Sequence, residues 1–154
     1  MKTNCETLHA NCLQIGGKGL LIMGPSGSGK STITLSLLDR AEWSKRKAKL
    51  ISDDYTMLRA KNGKLHGYTP DSLEGGIEIR GAGLYMIEFE KHTIIDCVIF
   101  LGLEYERFST NKAFQFEDLH IPLLKLPSLR ETDCTAICQA IEAFLFRKIW
   151  HKIV

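Results

Sequence analysis

A chain of 154 residues, 44% hydrophobic and 25% charged, has the size and make-up of a single soluble globular domain with a real core. Its net charge of +2 is too small to argue for a nucleic-acid or membrane partner, and no apolar run reaches transmembrane length. Five cysteines (Cys5, Cys12, Cys97, Cys134 and Cys138) form no C-x-x-C pair, so reduced thiols in a cytoplasmic protein are the simplest reading. The N-terminus lacks a signal-peptide core, and no internal repeat stands out.

In chain order, residues 5–15 read as one strand carrying His9, and Gly16-Gly17 turns it into an apolar strand over 19–23. Next comes Gly24-Pro25-Ser26-Gly27-Ser28-Gly29-Lys30-Ser31, which meets the phosphate-loop pattern G-x-x-x-x-G-K-[ST] at every fixed position. Glycines let consecutive N–H groups turn onto phosphate oxygens, and a helix N-terminus adds partial positive charge. Lys30 would reach the β- and γ-phosphates, Ser31 would face Mg²⁺, and Thr32 would complete the cradle at the helix start. A purely structural Gly/Ser turn does not require Lys-Ser at this spacing. The helix that follows is expected to bury Leu35 and Leu38.

Residues 43–49 form a basic run, read as a solvated loop. Leu50-Ile51-Ser52-Asp53-Asp54 is then an apolar strand ending in two carboxylates, the Walker B arrangement. Neighbouring strand-end residues point to different sides, so Asp53 suits the cation and Asp54 a substrate hydroxyl, as general base. Asn62-Gly63 predicts a hairpin between 55–59 and 64–68, with His66 on its surface. In Ile77-Glu78-Ile79-Arg80, alternation sets Glu78 and Arg80 on one face, and Gly81 and Gly83 permit close approach of a ligand. Residues 93–101 read as one central strand, with Arg107 on the loop beyond it, where a guanidinium suits phosphate oxygens. Residues 109–120 are polar and irregular, and 120–127 form a short strand edged by Pro122 and Pro127. A last helix is expected from Asp133 to about Lys152, capped by Thr132 or Asp133, with Ile137, Ile141, Phe144, Leu145 and Ile149 at helical spacing. Trp150, Ile153 and Val154 make its end apolar, as an oligomer contact or as core.

The order of His9, the Gly24–Ser31 loop, Asp53-Asp54 and Glu78-Ile79-Arg80-Gly81-Ala82-Gly83 resembles the catalytic domain of HPr kinase/phosphorylase. The likeness covers roughly residues 5–108, with a fainter echo to the end of the chain. It implies a single α/β domain over 1–154: a P-loop kinase fold like that of phosphoenolpyruvate carboxykinase, with a mixed sheet around the phosphate-loop helix. It also implies an ATP- and Mg²⁺-dependent serine kinase acting on the phosphocarrier HPr, regulating the phosphotransferase system, with phosphate or pyrophosphate serving the reverse reaction. By the same resemblance Ser31, Asp53 and Glu78 serve the metal. Asp54 is the base, Lys30, His9 and Arg107 complete the catalytic set, and the enzyme is a homo-oligomer. The resemblance further implies a chain that begins at the catalytic domain, as in short proteobacterial forms. Two stretches depart from the family: Tyr85 to His92 replaces a Gly-rich basic connection, and Pro127-Ser128-Leu129-Arg130 replaces Pro-Gly-Arg-Asn.

Two other readings compete. A small-molecule P-loop kinase calls for an arginine-rich lid, and residues 105–130 hold only Arg107 and Arg130. A nucleotide-sensing module without turnover is weakened by Lys30, Asp53, Asp54 and Glu78 all being present, and kept open by the altered 84–92 segment.

Overall fold

The computed structural model describes residues 4–102, 104–107 and 112–150. At its centre is a six-stranded mixed sheet built from β2 (Ala10–Ile15), β3 (Lys18–Met23), β4 (Ala48–Ser52), β10 (Cys97–Leu101), β11 (Lys112–Phe116) and β12 (Leu119–Leu126), in the order β11-β12-β10-β3-β2-β4. β10 runs parallel to β3 and β12, and the other pairings are antiparallel. A second, four-stranded sheet has the order β1 (Cys5–Leu8), β5 (Thr56–Lys61), β6 (Lys64–Tyr68), β9 (His92–Ile94). A separate hairpin pairs β7 (Gly76–Ile79) with β8 (Gly83–Met86).

The main sheet is buried on both faces, and its side chains alternate accordingly. Leu13, Ile15, Leu20, Ile22, Ile99 and Leu101 meet α1 (Lys30–Trp43) and α2 (Cys134–Phe146) on one side. Cys12, Leu21 and Val98 meet Leu58 and Leu65 of the small sheet on the other. The expected mixed sheet is thus present, packed on α1, with the small sheet as a third layer. No helix among the described residues is long and apolar enough to cross a membrane.

Five expectations need correction. The strand over 5–15 is two strands in different sheets, parted at His9. Likewise 93–101 divides between β9 and β10, at a point where Asp96 Oδ2 accepts a 2.8 Å bond from the Gly19 amide. Both breaks lie between sheets that share one core, so the apolar pattern runs on across them. Helix α1 buries Ile33, Leu37 and Ala41 at four-residue steps, leaving Leu35 and Leu38 on its half-buried flank. Lys112–Phe116 is a strand rather than irregular: Glu117 at φ 52 turns it back into β12, which runs through Pro122. Residues 109–111 lie outside those described. Helix α2 ends at Phe146, with Phe144 37% exposed, and Ile149 and Trp150 stand beyond it, 74% and 90% exposed. Asp133 is the cap, accepting from the Ala136 amide at 2.8 Å; Lys152, Ile153 and Val154 lie outside the described residues. On the small sheet, His66 Nδ1 lies 2.6 Å from His92 Nε2, the rings stacked at 4.9 Å.

Candidate functional site

Strand β3 delivers the chain into the loop 24–29 at its C-terminal end, and α1 starts at Lys30. Gly29 turns at φ 103 with Leu129 packed where a side chain would sit, and Gly27 turns at φ 79 with Arg130 Nη2 2.7 Å from that position. The Leu129 amide donates to Ser28 O at 3.0 Å, so residues 128–130 are docked on the loop and place a guanidinium over it. Lys30 is 6% exposed, and its Nζ donates to the carbonyls of Gly24 at 2.9 Å and Pro25 at 3.2 Å. Burial lowers its pKa, against the pull of Asp54 and Asp53.

Asp53 and Asp54 diverge. Asp53 Oδ1 accepts from Ser31 Oγ at 2.6 Å and Asn11 Nδ2 at 2.7 Å, and its Oδ2 accepts from the Glu78 amide at 3.1 Å. Asp54 occupies the left-handed region at φ 70 and turns its carboxylate to His9 Nε2, whose ring lies 5.3 Å from that of Tyr55. The result is a cleft of about 300 Å³. His9 and Asp54 form part of its wall, Lys30 and Ser31 the end at the helix start, and Glu78, Arg80 and Arg130 the rest of its polar lining. A larger hollow of about 490 Å³ lies on the flank of α1 beside Leu38, Glu42 and Ile87, away from these groups.

His9, Lys30, Ser31, Asp53, Asp54 and the backbone of Glu78 are therefore brought together. Ser26, Gly27, Gly29 and Thr32 line the cleft, while Gly24 and Pro25 hold Lys30. Arg107 is exposed on the segment after β10 and is not among the lining residues. Sequence reasoning overlooked Asn11 and gave Arg130 no role. A legible signal existed for Asn11, a lone amide in the alternating row that continues with Leu13 and Ile15. Arg130 carried none, because docking of residues 128–130 on a loop a hundred positions earlier is a tertiary event.

The donor set fits a nucleotide polyphosphate with a hard divalent cation. Ser28 Oγ is buried with no hydrogen-bond partner among the described residues, and the amides of the first turn of α1 face the loop. Ser31 Oγ and Asp53 are the oxygens that could hold such a cation, and Mg²⁺ is commonly held by one or two protein oxygens together with substrate phosphates.

The family described as HPr Serine kinase C-terminal domain matches residues 2–150. The chain belongs to that family. Among curated members, it is 33% identical over 135 residues to the HPr kinase/phosphorylase of Caldanaerobacter subterraneus, covering 79% of this chain and 42% of the relative. It is 31% identical over 155 residues to the HPr kinase/phosphorylase of Brevibacillus brevis, covering 92% and 48%. The chain thus spans about half the length of the curated relatives it matches. The solved Hpr(Ser) kinase/phosphatase of Coxiella burnetii is similar in fold: TM-score 0.73 at 23% identity, covering 92% of this chain and 97% of that one. The HPr serine kinase domain therefore occupies nearly all of the sequence.

Proposed function

We propose that this domain is an ATP-dependent serine kinase acting on the phosphocarrier HPr, releasing ADP, with phosphorolysis of the phosphoserine by inorganic phosphate, releasing pyrophosphate, as the opposing reaction. It would work in the cytoplasm, as a homo-oligomer, in control of the phosphotransferase system. The observation that carries the reading is the divergence of the two carboxylates beside the phosphate loop. ATP phosphates lie on the loop amides, with Lys30 leaving the Gly24 and Pro25 carbonyls to meet them. Ser31 and Asp53, with Glu78 beside them, would hold Mg²⁺, which neutralises charge on the phosphates. Asp54, facing away from that end and paired with His9, accepts the proton of the serine hydroxyl as it attacks in line. When inorganic phosphate attacks the phosphoserine to form pyrophosphate, the same carboxyl, now protonated, returns the proton to the leaving serine oxygen. Arg130 over the loop suits charge on the transferred group, and Arg107 waits outside the cleft for the acceptor side.

The test mixes the chain with HPr, Mg²⁺ and γ-labelled ATP and follows label into phosphoserine. Asp54→Asn is expected to bind nucleotide as the parent does while transfer falls on the order of 10²–10⁴-fold. Normal transfer by Asp54→Asn sinks the base assignment. One observation favours a second reading, a different protein acceptor: β8 presents Leu84 and Met86, 81% and 83% exposed, where the family carries a basic connection. ATP turnover with no label on HPr would select it. Tight ATP binding without turnover would instead select a nucleotide sensor.

A further inference from the structure

Along β2 the side chains alternate between the two faces of the main sheet. Ala10 and Cys12 face the small sheet, whereas Leu13 and Ile15 face the helices. Asn11 belongs to the helix-facing row and is wholly buried. An amide there is costly unless its polar atoms are paired, and every partner it has belongs to the cleft or its support. Its Oδ1 accepts from the Asp54 amide at 3.1 Å, and its Nδ2 donates to Asp53 Oδ1 at 2.7 Å. The same Nδ2 lies 3.2 Å from Thr34 Oγ1 and 3.4 Å from Ser31 Oγ. The orientation of the amide is decided by these contacts, because a backbone N–H only donates and a carboxylate only accepts.

We infer that Asn11 is a positioning residue, one that holds the adjacent carboxylates apart: Asp53 toward the cation and phosphates, Asp54 toward His9. This rests on the reading of the cleft as a phosphotransfer site. Two neighbouring carboxylates repel, and Asp54 sits at φ 70, a conformation that persists where its surroundings hold it. Asn11 ties the Asp53 side chain and the Asp54 backbone into one unit. Ser31 and the Glu78 amide constrain only Asp53. Without Asn11, the Asp54 amide has no partner in the strand, and the residue relaxes toward an ordinary backbone region that carries its carboxylate away from His9.

Asn11→Leu has nearly the same size and no polar atoms, and Asn11→Ser serves if the leucine variant does not fold, as judged by melting. The readout beside activity is Mn²⁺ affinity in the presence of ADP, followed by electron paramagnetic resonance. Mn²⁺ affinity and kcat are each expected to fall about 10- to 100-fold, as for other residues that orient metal-binding carboxylates. ADP affinity without a cation stays within about twofold, because the loop and Lys30 are untouched. Thr34→Val removes a partner of Asn11 that bears on neither carboxylate, and it leaves Mn²⁺ affinity unchanged while shifting the melting temperature. A folded Asn11 variant with parental Mn²⁺ affinity and kcat overturns the inference. If the parent never phosphorylates HPr but the Asn11 variant still loses Mn²⁺, the acceptor is wrong and the positioning role stands. A parent that binds no Mn²⁺ with ADP sinks both.

Discussion

The phosphate loop and the β7–β8 hairpin face the same cleft and are built in opposite ways. Around the loop everything is tied down: Ser28, Lys30, Asn11 and Thr34 are buried, residues 128–130 cap the turn, and Asp53 accepts three hydrogen bonds. The hairpin is open, with every residue of β8 exposed. Leu84 is the register partner of Glu78 and so shares its face, carrying an apolar rim outward from the cleft wall. Nucleotide chemistry needs fixed donors and a displaced water shell, which a rigid scaffold supplies. A surface that must fit another macromolecule is left uncovered until that partner arrives.

The sharpest way to break this contrast is at Lys30. Lys30→Ala is expected to lower kcat/KM on the order of 10²–10³-fold, with nucleotide affinity falling alongside, as measured by labelled-ATP turnover and calorimetry. An effect under tenfold would mean that the loop does not hold the phosphates. The open side responds differently. Replacing Leu84 and Met86 together by Ser is expected to raise KM for the protein acceptor about tenfold, through lost apolar burial, with ATP affinity unchanged. A parallel loss of ATP affinity would show that the hairpin belongs to the nucleotide end after all.

The smallest effect concerns His92, on the outer sheet and far from the loop. Its pKa is held below the ordinary 6.5, by burial first and then by the charges of His66 and Lys61. Above 6.5 both folded and unfolded states are neutral and nothing is lost. As pH falls through the window below 6.5 the unfolded chain takes the proton first, so stability drops. His92→Gln should therefore flatten the decline of melting temperature between about pH 7 and about pH 5.5, without altering phosphotransfer. An unchanged slope would remove the His66–His92 pair as its source.

Many residues that line the candidate cleft were legible in order along the chain. The Gly-rich loop with Lys30-Ser31, the Asp53-Asp54 pair and the Glu78 strand each carry their chemistry in a short window, because each depends on local backbone geometry: a turn, a helix start, a strand end. The hairpin at Asn62-Gly63 was legible for the same reason, its turn type demanding residues that tolerate positive φ. Strand continuity was not legible. His9 and Asp96 part strands that enter different sheets, yet both sheets press on one core, so apolar residues continue across each break. The end of α2 was missed because Ile149 keeps the helical spacing of apolar residues past Phe146, although it is 74% exposed.

By itself, then, the sequence determined the phosphate loop, the carboxylate pair and the alternating rows of a doubly covered sheet, since these follow from spacing and backbone preference over a few residues. Only the tertiary structure decided that His9 meets Asp54, that Asn11 binds both aspartates to one amide, and that Arg130 lies over Gly27. Each of those contacts joins positions dozens of residues apart, and their distances depend on how three layers pack, which no local pattern records.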